Sequence, residues 1–202
     1  MKRHIRRIGL VAFVVAGIFL WGLATDSQTL HDQLLRLHVV GASDSKADQD
    51  VKLLVRDAVL ESLEEGLQDL TDPQAAWDYV ARMLPQVEAA ANRCLEAAGF
   101  TDKVAVSLTE EAFPTREYDT FSLPAGVYKA LRVVIGEGEG KNWWCVVFPQ
   151  LCMGTDGEFV ETASMAGLDP KLTGTLEGDY EIRFWVLEKI GEMKNYLFAS
   201  SE

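Results

Sequence analysis

His38, Ser43 and Asp44 bring the functional groups of a Ser–His–Asp hydrolase within seven positions of one another. That chemistry needs a base within hydrogen-bond reach of the hydroxyl and a third group to orient the base. No nucleophile elbow surrounds Ser43. Ser43-Asp44-Ser45 also stands where a following helix needs its N-terminal cap, so capping is the preferred reading. Cys145 and Cys152, seven positions apart, leave three readings: a structural disulfide, two free thiols, or a nucleophile with its neighbour. A bridge closing so small a loop contributes about 2.5 kcal/mol if its geometry is unstrained. Cys94 lies in an alanine-rich stretch and reads as a buried apolar residue.

No Cys-x-x-Cys, His-Glu-x-x-His or calcium-loop spacing occurs, so neither a metal nor a cofactor is expected. Gly136, Gly138 and Gly140 lack a following helix start, and Glu137 and Glu139 would repel phosphate, so they read as a flexible hairpin tip. The 31 carboxylates offer acid–base chemistry in principle, but no pair stands out.

These residues must be positioned by regular elements. Leu35–Val40 alternates as a strand, with Leu35, Leu37 and Val39 on one face and Arg36 and His38 on the other. Ser45 and Asp48 resemble a capping box for a helix whose apolar stripe is Val51, Leu54, Val55, Ala58 and Val59. A second helix, 75–98, starts near Pro73, contains Pro85 as a kink or break, and ends at Gly99. Strands follow from about Lys103, extended irregularly through Tyr118, then at 127–135 and 142–148, the last two forming a hairpin. Residues 153–180 read as a mobile surface loop and 180–198 as a closing helix. The order gives a single α+β domain, 35–202, with helices on one face of a mostly antiparallel sheet.

Trp143 and Trp144 point to opposite faces of their strand. If the first strand lies near a sheet edge, Arg36, His38, Ser43 and Asp44 could meet a partner together with Trp143 or Trp144. The competing reading makes both indoles core residues and pairs Arg36 with a carboxylate such as Asp57.

Lys2, Arg3, Arg6 and Arg7 precede an uncharged apolar run, 8–23, and Gly22-Leu23-Ala24 supplies the small residues of a cleavage site. Residues 1–24 read as a signal peptide cut between Ala24 and Thr25, with 25–34 a short tether. An uncleaved anchor is the rival, and either exports the rest. Removing 1–24 takes four of 19 basic residues and none of the 31 acidic ones, leaving a formal charge of −16. Such a surface repels nucleic acid and anionic lipid.

Arg36-Leu37-His38-Val39, Ser43-Asp44-Ser45, Asp48-Gln49, Lys52 and Val55-Arg56-Asp57-Ala58-Val59 resemble the N-terminal signature of the stage II sporulation protein R family. Phe113-Pro114-Thr115-Arg116 with Tyr118, Leu123-Pro124-Ala125-Gly126 with Tyr128, and Ala130-Leu131-Arg132-Val133 resemble its middle. Asn142-Trp143-Trp144-Cys145 and Phe148-Pro149-Gln150-Leu151-Cys152 carry the most specific part, with Gln150 standing where a second proline is expected. The resemblance implies a non-enzymatic signalling protein of endospore formers, secreted across the forespore membrane into the intermembrane space of the sporangium. Its implied partner is a membrane-embedded aspartic protease of the mother cell that processes the sigma-E precursor, with no small-molecule substrate. The alternative is an exported cell-envelope hydrolase using His38 and Ser43 or a cysteine.

Overall fold

The computed structural model describes residues 30–118, 121–149 and 181–200, with isolated positions before residue 30; for residues 181–186 it describes backbone alone. The elements are β1 (Leu35–Val40), α1 (Lys46–Leu67), α2 (Pro73–Ala97), β2 (Val104–Phe113), β3 (Arg116–Glu117), β4 (Ser122–Leu123), β5 (Gly126–Ile135), β6 (Asn142–Phe148) and α3 (Glu181–Ala199). Four strands form one sheet in the order β2-β5-β1-β6, and β3 and β4 pair separately.

The sheet is mixed. β1 runs parallel to β5 and antiparallel to β6, while β2 and β5 share an antiparallel register from Val104↔Ile135 to Phe113↔Gly126. This corrects one expectation: β5 and β6 form no hairpin because β1 lies between them, and β1 is an interior strand next to the edge strand β6. A short glycine-rich connection bridges two strand spacings, about 10 Å, as easily as it closes a hairpin. Local pattern therefore does not separate the two. The connection is also pinned: Gly140 N donates to Gly41 O at 2.8 Å and Glu139 N to Ala42 O at 3.3 Å. A side chain at Gly140 would run into the Ser43 carbonyl.

Ser45 caps α1, its hydroxyl accepting from Asp48 N at 3.1 Å. The expected reciprocal bond from the Asp48 carboxylate reaches Ser45 indirectly. Ser43 Oγ donates to Asp48 and accepts from Ser45 N at 3.1 Å. The buried apolar stripe of α1 steps by four along Val51, Val55, Val59, Leu63 and Leu67, with Leu60 buried beside it; Leu54 is exposed and Ala58 half-buried, both outside it. Asp72 caps α2 through Ala75 N at 2.8 Å, and Pro73 takes the first turn, where its missing donor is harmless. Pro85 sits inside α2 without ending it. The helix closes with paired bonds, Gly99 N to Glu96 O and Phe100 N to Leu95 O, for which Gly99 takes φ 84°.

α1 and α2 cover one face of the sheet, packing on Leu35, Leu37, Val39, Leu131, Val133 and Ile135. The second face carries Leu30, Leu34, Phe113, Leu123, Tyr128, Ala130 and Val146. Leu30, His31 and Leu34 are buried there, so the chain is packed at least from residue 30 rather than tethered up to 34. α3 packs chiefly on β5 and β2. It lies at the Phe113 and Ala125 end of the β2–β5 pair, where Asn195 Nδ2 donates to Phe113 O at 2.8 Å and Gly191 leaves room for the Ala125 carbonyl.

Candidate partner-binding site

Arg36 projects from the second face of β1 and is 0 % exposed. Its Nη2 donates to the Tyr118 hydroxyl at 2.8 Å, and its guanidinium carbon lies 4.2 Å from the Phe113 ring centre and 5.0 Å from that of Tyr128. Among the described residues Nε and Nη1 have no hydrogen-bond partner. Two aromatic faces offset part of the desolvation of a guanidinium, by about 0.5–2 kcal/mol each. The penalty for a buried ion is several kcal/mol, so the residue is held at a net cost. Among the described residues no carboxylate answers it. Asp57, the expected partner, pairs with Arg56 at 2.7 Å on the other side of the sheet.

Next along the strand, His38 heads a polar row crossing all four strands. Its Nδ1 lies 2.6 Å from Glu111 Oε2 on β2 and its Nε2 3.0 Å from Asn142 Oδ1 on β6. Arg132 of β5 donates to the other Glu111 oxygen at 3.3 Å, and the Trp144 ring stacks on the imidazole with centres 5.7 Å apart. Register makes the row: His38 is level with Arg132 on one side and Trp144 on the other. Arg116 lies over the Trp144 ring at 3.7 Å, its Nε without a partner. Tyr118 links the two parts, donating to Trp144 O at 3.4 Å.

Trp143 faces the other way, 36 % exposed, with the Arg56 guanidinium 4.6 Å from its ring centre. The indoles thus occupy opposite faces, and neither is fully buried. Ser43 and Asp44 form a corner apart from Arg36. Asp44 Oδ1 accepts from Lys141 N at 2.8 Å, and both hydrogen-bonding roles of the Ser43 hydroxyl are taken within the α1 cap. Lys52, buried beneath this corner, donates to Gln49 Oε1 and Lys141 O. Its ammonium pKa is lowered, chiefly by burial; Asp44 opposes the shift and Lys141 adds to it. His38 and Ser43 share no hydrogen bond, so the Ser–His–Asp set is not assembled. Burial, followed by Lys194 and Arg36, pushes His31 down to about 3, so its ring is neutral. Among the described residues no three His, Cys, Asp or Glu side chains come close enough to hold a metal.

A family model described as stage II sporulation protein R matches residues 31–157. The chain belongs to that family. It is 37 % identical over 121 residues to "Stage II sporulation protein R" of Bacillus subtilis (strain 168), a stretch covering 60 % of this chain and 54 % of that relative. The match thus spans about half the relative's length. No solved structure matches. The family stretch contains Arg36, the His38 row and the Ser43–Asp44 corner, whereas α3 lies beyond it.

Arg36, His38 and Trp144 are brought to one face as expected from strand alternation; Trp143 is on the other, and Ser43 and Asp44 stand apart from them in hydrogen bonds to the α1 cap and to Lys141 N. Sequence reasoning missed Glu111, Phe113, Arg116, Tyr118, Tyr128, Arg132 and Asn142 as members of the site. A signal existed in Phe113-Pro114-Thr115-Arg116-Glu117-Tyr118, where two aromatic residues bracket an arginine. Cys145 packs against the first-face core, while Cys152, Ala24, Thr25 and the loop 153–180 lie outside the described residues.

Proposed function

We propose that this chain is an exported, non-enzymatic signal of sporulation that activates a membrane-embedded aspartic protease of the mother cell, leading to processing of the sigma-E precursor. Family membership over residues 31–157 carries this reading. The basic and apolar start of the chain supports secretion across the forespore membrane into the intermembrane space. A binding activator works by favouring the active state of its target, so it needs a recognition face rather than a nucleophile. The second sheet face, which carries His38, Trp144, Arg116 and the buried Arg36, supports this reading. A Cys145–Cys152 bridge belongs to the same proposal, since the compartment permits oxidation.

The discriminating experiment replaces His38, Ser43 and Cys145 singly with Ala and follows precursor processing in sporulating cells. An activator loses activity in proportion to lost binding or stability at each position. A hydrolase loses nearly all of it at one position while remaining folded and bound to its target.

A further inference from the structure

We infer that Arg36 is the receptor for a side-chain carboxylate of the protein partner, held closed in the free chain by Tyr118. The inference rests on the reading of this chain as a binding activator. Three observations carry it. Arg36 is fully buried, yet two of its three nitrogens have no hydrogen-bond partner. A guanidinium presents its donors as a planar fork matched to a carboxylate, and none among the described residues fills it. Second, Arg116 brings another unpaired Nε to the same neighbourhood, over the Trp144 ring. This cationic pair stands in a chain of net charge −12, so it favours an acidic segment that the rest of the surface repels. Third, the cover is slight. Tyr118 directly follows β3, which with β4 makes a separate ladder of two residue pairs, and its N–H donates to Phe121 O at 2.8 Å. Two-stranded units of that size are marginal on their own. When the Tyr118 side chain moves aside, its hydroxyl leaves Nη2 and a carboxylate takes its place, bonding the fork in two positions between the Phe113 and Tyr128 rings.

The test uses the full chain and acetate as the probe. Sodium acetate is titrated against sodium chloride at equal ionic strength while thermal unfolding is followed. Acetate is expected to raise the melting temperature of the wild type by a few degrees and leave Arg36→Met unmoved, since a ligand stabilises only the state that binds it. Tyr118→Phe, which keeps the ring and removes the competing hydroxyl, is expected to shift the acetate midpoint downward. Binding of Arg36→Met to membranes carrying the protease should fall about tenfold or more. Acetate no better than chloride in both wild type and Tyr118→Phe overturns the site, as does full partner binding by folded Arg36→Met. Should Arg36→Met not fold, the Tyr118→Phe midpoint decides. A chain that shows the acetate effect yet binds no protease at all contradicts the activator reading instead, leaving the carboxylate site in place.

Discussion

Arg36 donates to the Tyr118 hydroxyl across 82 positions of sequence, and this is the sole hydrogen bond made by its buried guanidinium among the described residues. The pair joins the central strand to the outer β3–β4 ladder. It also makes stability and recognition pull in opposite directions, because a charge buried without an anion weakens the fold that displays it.

Arg36→Met should therefore leave stability unchanged or raise it by about 1–2 kcal/mol, since a thioether of similar volume fills the slot between Phe113 and Tyr128 without a desolvated charge. Arg36→Ala leaves a cavity and should cost about 2–4 kcal/mol. Urea unfolding of the two variants checks the contrast. A large loss in Arg36→Met would mean that the guanidinium itself holds the face together.

Asp44→Ala removes the acceptor for Lys141 N and should lower stability by about 1–2 kcal/mol. Ser43→Ala breaks the relay between Asp48 and Ser45 and should cost about 1 kcal/mol. Signalling by both variants should recover when cells sporulate at reduced temperature. Loss of activity in a variant with unchanged melting temperature would return the corner to the recognition surface.

His31 titrates near its ordinary 6.5 in the unfolded chain and at about 3 in the folded one. The unfolded state therefore binds the extra proton between these values. This contribution to stability is complete above pH 6.5 and is lost as pH falls toward 3, at up to about 1.4 kcal/mol per unit. Unfolding free energies at pH 7 and pH 5 should differ more in the wild type than in His31→Leu. Equal slopes would contradict the assignment.

Much of this was legible before any coordinates. The strand Leu35–Val40, the cap at Ser45, the helix start at Pro73, the turn at Gly99 and the opposed indoles of Trp143 and Trp144 follow from contacts within a few residues. Strand order was not legible, because β1 and β5 pair in parallel across two helices and three strands. The split of β5 from β6 is non-local for the same reason. Leu54 looked like core because its three-residue step from Val51 fits a helical stripe, but the buried positions step by four along Val51, Val55, Val59, Leu63 and Leu67, with Leu60 beside them. The surroundings of Arg36 were hidden by distance in sequence: Phe113, Tyr118 and Tyr128 reach it from another strand, a turn and a third strand.

Mass spectrometry of the mature protein should find an N-terminus at Thr25. Non-reducing peptide maps should join Cys145 to Cys152 and leave Cys94 free to alkylate. Cys94 should react slowly near neutral pH, because burial and the nearby Asp57 charge both raise its thiol pKa. Alkylation of all three cysteines without reduction would remove the bridge, and recovery of only the full-length chain in membranes would replace cleavage by anchoring.

The most direct measurement reconstitutes the full chain with membranes carrying the aspartic protease and follows cleavage of the sigma-E precursor. The account predicts that cleavage requires both proteins, saturates with added chain as binding does, and disappears when the protease's own catalytic aspartate is replaced. Cleavage that proceeds equally without the chain, or that survives loss of that aspartate, would contradict it.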